Sequence, residues 1–191
     1  EEEVDTIFAY PGGMITDIMD ELYKTQGMHV VLPRHEQALV HEAEGYARAT
    51  GKPGVCLVTS GPGATNTITA IADAYYDSIP LVVFTGQVPQ NLIGNDAFQE
   101  VDIVGMTRSI VKYGVTVRDR NDLGKIMKMA FFIATTGKPG PVLIDLPKDI
   151  QTQLGQSEYP EEVNIRGYKP NDTVHIGQLK KAYKLLHSAK Q

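Results

Sequence analysis

The chain has 191 residues, of which 42% are hydrophobic and 21% charged, the profile of an ordinary soluble globular protein with room for one good-sized domain and the start of another. Its 18 Lys and Arg are scattered and outnumbered by 23 Asp and Glu, for a net charge of −5, which excludes a nucleic-acid surface, and apolar runs such as residues 79–85 are too short to span a bilayer. The five His are dispersed and Cys56 is the single cysteine, so neither a zinc cluster nor an internal disulfide is available, and a reducing, cytoplasmic compartment fits.

Strand and helix signals alternate along the chain, which predicts βα units and a mostly parallel sheet. The first strand, residues 6–10, runs into Pro11-Gly12-Gly13, and a helix with apolar positions at Ile15, Ile18, Met19 and Leu22 follows. A short strand at 30–33 leads through Arg34-His35-Glu36-Gln37-Ala38 into a helix whose apolar and small residues recur at Leu39, Val40, Ala43, Tyr46, Ala47 and Ala49. Gly51 and Pro53 stop it. The third strand, 54–59, holds Cys56 as an inert core thiol and meets Ser60-Gly61-Pro62-Gly63-Ala64-Thr65-Asn66; the next helix carries Ile68, Ile71, Ala72 and Tyr75. The fourth strand, 80–85, ends at Gly86-Gln87-Val88-Pro89, and an irregular stretch then runs to about Val101, a length that in compact domains usually marks function.

A short helix over 102–109, a strand over 112–117, a helix over 121–135 capped by Asn121 or Asp122, and a sixth strand over 142–146 complete the alternation. Residues 151–173 are polar, include Pro160 and Pro170, and read as a linker. A fresh helical pattern begins near Val174 and stops at Gln191. With no initiator Met at its start, the chain reads as a piece of something longer.

Two strand-to-helix turns are rich in glycine, a residue that lets backbone approach a ligand and presents the N–H groups of a helix start. Neither is a Walker loop, which needs a Lys after its final glycine, and neither is Gly-x-Gly-x-x-Gly. Each turn alone is equally well a simple tight turn. Glu36, at the carboxyl end of a strand and the mouth of a helix, reads either as a first-turn acid that complements the helix dipole or as part of a site where open α/β sheets collect ligands.

Taken together and in order, Tyr10-Pro11-Gly12-Gly13, Leu32-Pro33-Arg34-His35-Glu36-Gln37, Thr59 to Asn66, Gly86-Gln87-Val88-Pro89, Asp96-Ala97-Phe98-Gln99-Glu100 and Pro139-Gly140-Pro141-Val142 resemble the amino-terminal, pyrimidine-binding domain of thiamine-diphosphate enzymes. Within that group the pattern is most similar to the catalytic large subunit of the acetolactate (acetohydroxyacid) synthases. The resemblance covers residues 4–155. It implies an α/β fold, a three-layer flavodoxin-like domain with a central, mostly parallel six-stranded sheet. It also implies a domain over 1–155, a linker over 156–173, and a truncated central domain starting at 174–191.

The resemblance implies that the parent enzyme decarboxylates pyruvate on thiamine diphosphate and joins the product to a second 2-keto acid, pyruvate or 2-ketobutyrate, in branched-chain amino acid biosynthesis. Glu36 corresponds to the glutamate that exchanges a proton with the cofactor's pyrimidine ring, with Tyr10, Pro62 and Asn66 lining its pocket. Gln99 and Phe98 fall near the reacting substrate, Gly13 supplies backbone beside it, and Lys148 stands at the entrance, where the alternative is a solvated lysine. Val88, Pro89 and Ala97 form the access channel in which sulfonylurea-type herbicides bind in the family. The chain departs from the family pattern at Met14, where Ala is usual and a larger side chain narrows the channel. It departs also at Gln90 and Asn91, where Arg is frequent, and at Lys138, which replaces an FAD-contacting Arg and loses its planar fork.

No metal ligands are expected in this chain: the family binds Mg2+ with the cofactor diphosphate through a Gly-Asp-Gly motif that is missing here, and most of the FAD site lies in the central domain. The resemblance further implies that the diphosphate-binding domain of a second subunit completes each site, in a homodimer or larger assembly that a regulatory small subunit can join. The fragment alone is then inactive. Three other readings stand beside this one: pyruvate oxidase or a related decarboxylase, a non-catalytic module that retains the fold, and a flavodoxin-like nucleotide binder. Retention of Glu36, Asn66 and Gln99 weighs against the second, and the missing phosphate fingerprints against the third.

Overall fold

The computed structural model describes residues 2–156, 158–171 and 173–190. Glu1, Ser157, Asp172 and Gln191, which belong to the expected domain, linker and final-helix ranges, lie outside the described residues.

Six strands, β1 (Thr6–Ala9), β2 (His29–Val31), β3 (Gly54–Val58), β4 (Leu81–Gln87), β5 (Tyr113–Thr116) and β6 (Pro141–Pro147), form one sheet in the order β2-β1-β3-β4-β6-β5. Every pairing in it is parallel. Its central strands read as continuous apolar runs because both faces are covered, and β3, β4 and β6 are buried along their whole length. Side chains alternate between two cores. Val55, Leu57, Val82, Phe84, Val142 and Ile144 meet α1 (Thr16–Lys24) and α6 (Leu123–Thr135). Phe8, Cys56, Val58, Leu81, Val83 and Leu143 meet α2 (Glu36–Thr50) and α4 (Ile68–Asp77). The result is the three-layer α/β arrangement that the family resemblance implies. Short helices α3 (Pro62–Thr65), α5 (Ile103–Thr107) and α7 (Lys148–Thr152) sit at strand ends, and α8 (Ile176–Ser188) closes the chain.

Boundaries differ from the sequence reading where tertiary pairing overrides local pattern. The second strand ends at Val31 and leaves Leu32 60% exposed. The fourth strand continues two residues beyond Thr85, because Gly86 and Gln87 pair with Leu146 and Pro147. The helix expected from residue 121 begins at Leu123 after a 3-10 turn, and Asp119 is the capping side chain, accepting from the N–H of Asn121 at 2.9 Å. Residues 158–170, polar in sequence, run back along α6: Ile165 and Tyr168 pack against the α1/α6 core. The Tyr168 hydroxyl donates to the carbonyl of Thr136 at 2.9 Å and accepts from Lys112 Nζ at 3.1 Å.

Candidate active site

In a parallel sheet all strands deliver their carboxyl ends to one edge, and ligands gather there where the strand order reverses. This chain passes from β1 outward to β2 and then back across β1 to β3, so the crevice lies beyond Ala9 and Val58. Both glycine-rich turns leave the sheet at that point. Glu36 reaches it as the first residue of α2, a helix capped by His35, whose Nδ1 accepts from the N–H of Gln37 at 3.1 Å, and ended by Gly51 in the left-handed conformation.

Across the crevice Asn66 donates from Nδ2 to Oε2 of Glu36 at 3.0 Å. The other carboxylate oxygen, Oε1, has no protein partner among the described residues and lies against Gly63, where a Cβ would stand 3.4 Å from it and 2.7 Å from Thr59 Cγ2. Glu36 is half-buried. Gly61 has a φ of 56° and passes under Gln99, whose carbonyl oxygen would stand 2.6 Å from an added Cβ. Only glycine suits both the dihedral and the space.

Other expected residues are drawn to the same rim. Tyr10 extends the β1–β3 ladder, its N–H donating to the Leu57 carbonyl at 3.0 Å, and Pro62 opens α3. Met14 is fixed by its backbone: its N–H donates to Thr59 Oγ1 at 3.2 Å, and its carbonyl accepts from Gln151 Nε2 at 2.8 Å. Lys148 is not a free solvated side chain. Its Nζ reaches the Gly13 carbonyl at 3.3 Å, Thr16 Oγ1 at 2.9 Å and Asp17 Oδ2 at 2.5 Å.

The irregular run after β4 has its own scaffold. Val88 is buried and Pro89 half-buried. The N–H and Nε2 of Gln90 donate to the Asp149 carboxylate at 3.1 and 3.2 Å. Glu100 accepts from the backbone N–H groups of Gly94 and Ala97, and these bonds, Gly94's foremost, hold its carboxyl below the usual range. Gln99 adopts a φ of 58°, and Phe98 is 85% exposed. Lys138 stands apart: it precedes β6 at the amino edge of the sheet, its Nζ 5.2 Å from the ring centroid of Tyr75.

Sequence reasoning passed over Thr59, Gln151 and Asp17, which hold the site residues, and over a buried carboxylate, Asp145. Its oxygens accept from Thr85, Gln87 and Thr116. Burial pushes its pKa up to about 6 against those hydrogen bonds, helped by the charge of Asp102. The available signal was a charged residue inside the apolar run Val142-Leu143-Ile144-Asp145-Leu146. Where α2 meets α4, ligand atoms of His41, Glu44 and Asp73 lie within 4.8 Å of one another, but Glu44 already pairs with Arg48, which also pairs with Asp77. A cation there would compete with the guanidinium. Among the described residues no helix is long and apolar enough to cross a membrane.

Residues 1–106 match the family model described as thiamine pyrophosphate enzyme, N-terminal TPP binding domain. The whole chain is 53% identical over 193 aligned residues to the acetolactate synthase isozyme 3 large subunit of Escherichia coli (strain K12), covering 34% of that protein. It is 51% identical over 181 residues to the chloroplastic acetolactate synthase of Arabidopsis thaliana, covering 92% of this chain and 27% of that protein. With the mitochondrial acetolactate synthase catalytic subunit of Saccharomyces cerevisiae it shares 53% over 164 residues, 86% of this chain and 24% of that protein. The chain thus spans about a third or less of the length of these relatives.

Proposed function

The chain belongs to the thiamine pyrophosphate enzyme family, as its N-terminal TPP-binding domain, and on that premise we propose that it activates the cofactor of an acetolactate synthase. The observation that carries this reading is the Glu36–Asn66 pair in the crevice where the strand order reverses. The surroundings fit a flat aminopyrimidine ring: one carboxylate oxygen is steadied by an amide, the other lacks a protein partner among the described residues, and a side chain at Gly63 would fill the space beside it.

Glu36 and Asn66, with Tyr10, Pro62 and the backbone of Gly13, hold the ring. Glu36 holds and passes a proton at its open oxygen, a task for a carboxyl group, since a glutamine in its place would hydrogen-bond without exchanging the proton. Bound thiamine diphosphate supplies the nucleophilic carbon and the electron sink for decarboxylating a 2-keto acid. Gln99 and Phe98 border the substrate, and Val88, Pro89, Ala97 and Met14 wall its path. Lys148, next to Gly13, offers positive charge to a carboxylate of pyruvate or 2-ketobutyrate by exchanging its pairing with Asp17.

The same reading makes this chain one domain of a larger enzyme. Leu179, Tyr183 and Leu186 of α8 are all more than half exposed, which supports a central domain covering that helix. Mg2+ and the cofactor diphosphate then belong to a carboxy-terminal domain of a second subunit in a dimer or larger assembly, with a regulatory subunit able to join. FAD would lie mostly on the central domain, with Lys138 of the present domain supplying charge but no fork. For compartment we propose the cytoplasm, which the lone, buried Cys56 supports; the names of the plant and yeast relatives place those proteins in chloroplast and mitochondrion. Product analysis of the intact protein supplied with pyruvate, thiamine diphosphate, Mg2+ and FAD tests the proposal. Acetolactate supports it, whereas acetyl phosphate or acetaldehyde moves the function to an oxidase or decarboxylase.

A further inference from the structure

Gln87 ties together the two ends of the irregular run that carries Phe98 and Gln99. Its Nε2 donates one hydrogen to the carbonyl of Val101 at 2.9 Å, and its Oε1 accepts from the N–H of Val88 at 2.9 Å. The second Nε2 hydrogen goes to Oδ2 of Asp145 at 3.1 Å. With the amide turned over, its NH2 would face the Val88 N–H and its oxygen would face both the Val101 carbonyl and the carboxylate, so the two backbone groups set the orientation and Asp145 takes the amide hydrogen they leave over. Asp145 is itself fixed from both neighbouring strands, by Thr85 of β4 to Oδ1 at 2.8 Å and Thr116 of β5 to Oδ2 at 3.1 Å. Both Asp145 and Gln87 are almost fully buried, where a misdirected amide is costly. Beyond the clamp, the backbone of Gln99 lies on the Gly61 turn, which leads into the Glu36–Asn66 pair.

We propose that Asp145 is a positioning residue: by accepting the second amide hydrogen of buried Gln87 it anchors the clamp that closes residues 88–101 into one defined loop and sets Gln99 against the turn beside Glu36. The clamp stands on geometry alone, and its effect on turnover rests on the function proposed above.

The test compares Asp145→Leu, Gln87→Leu and Asp145→Asn in the intact protein by hydrogen–deuterium exchange and by acetolactate formation from pyruvate. Both leucine variants are expected to speed amide exchange within 88–101 while sparing β3 and α2, and to lower turnover by roughly tenfold to a hundredfold. Asp145→Asn rescues both readouts, because its oxygen accepts from Gln87 and Thr116 while its NH2 donates to Thr85; a role that needs the carboxylate's charge predicts no such rescue, and a merely space-filling role predicts no loss in Asp145→Leu. If Asp145→Leu does not fold, Gln87→Leu decides, since it leaves Asp145 with two hydroxyl partners. Unchanged exchange over 88–101 in Gln87→Leu, or an Asp145→Asn variant as loose as Asp145→Leu, overturns the proposal. Loosening of 88–101 in a protein whose unsubstituted form makes no acetolactate supports the clamp and removes the enzymatic reading instead.

Discussion

Asn66 donates from Nδ2 to Oε2 of Glu36 at 3.0 Å, joining the turn after β3 to the first residue of α2. The bond fixes the carboxyl plane and so decides where the other oxygen presents itself. Replacing Asn66 with Ala leaves a half-buried carboxylate that water solvates, so stability should change by no more than about 0.5 kcal/mol. A lost bond to a charged group corresponds to roughly 1.5–3 kcal/mol, about a tenfold to hundredfold loss in kcat/KM of the intact protein. A variant with unaltered kinetics would show that the amide does not orient Glu36.

Asp145 predicts a specific pH dependence. Its pKa rises from an ordinary 3.8 to about 6 in the fold, so between these values the native state binds the extra proton and stability falls as the pH rises. At about 1.4 kcal/mol per pH unit, the interval corresponds to about 3 kcal/mol. The Asp145→Asn variant escapes this loss. In urea unfolding it should exceed the unsubstituted protein by about that amount at pH 8 and by little at pH 4. A difference independent of pH would contradict the assignment.

The strand-turn-helix pattern was legible in the sequence because glycine and proline punctuate it: Gly51 ends α2 in the left-handed conformation, and Pro62 opens α3. Glu36 and Asn66 were legible as motif residues, although 30 positions separate them and nothing local shows that they touch. What holds them was harder to read. Thr59, Gln87 and Asp145 sit in or beside apolar strands, and their roles depend on which strands become neighbours: β6 lies between β4 and β5, so Asp145 meets Thr85 on one side and Thr116 on the other. The polar stretch 158–170 resembled a linker because its anchors, Ile165 and Tyr168, are isolated apolar residues among charged ones.

Gly61→Ala should be damaging out of proportion to its size. Its φ of 56° disfavours an L side chain, and the new methyl would press on the backbone of Gln99 at 2.6 Å. A loss of about 1–3 kcal/mol is expected, with kcat falling because Gln99 is displaced. Chemical denaturation and steady-state kinetics check the two parts. A variant with full stability would show that the loop yields without strain.

Lys112 anchors the returning segment. Its Nζ donates to the carbonyls of Ile133 and Thr136 at the end of α6 and to the Tyr168 hydroxyl. Lys112→Met keeps much of the packing but removes those donors, so a loss of roughly 1–3 kcal/mol is expected, together with faster proteolysis between 158 and 170. Resistance equal to that of the unsubstituted protein would mean that Ile165 and Tyr168 hold the segment by packing alone.

The most direct test of the account is acetolactate formation by the intact protein beside its Glu36→Gln variant, with pyruvate, thiamine diphosphate, Mg2+ and FAD supplied. Glutamine can still accept from Asn66, so the account predicts an unchanged fold and a loss of turnover of at least about a hundredfold. A Glu36→Gln variant that turns over at the unsubstituted rate would contradict it.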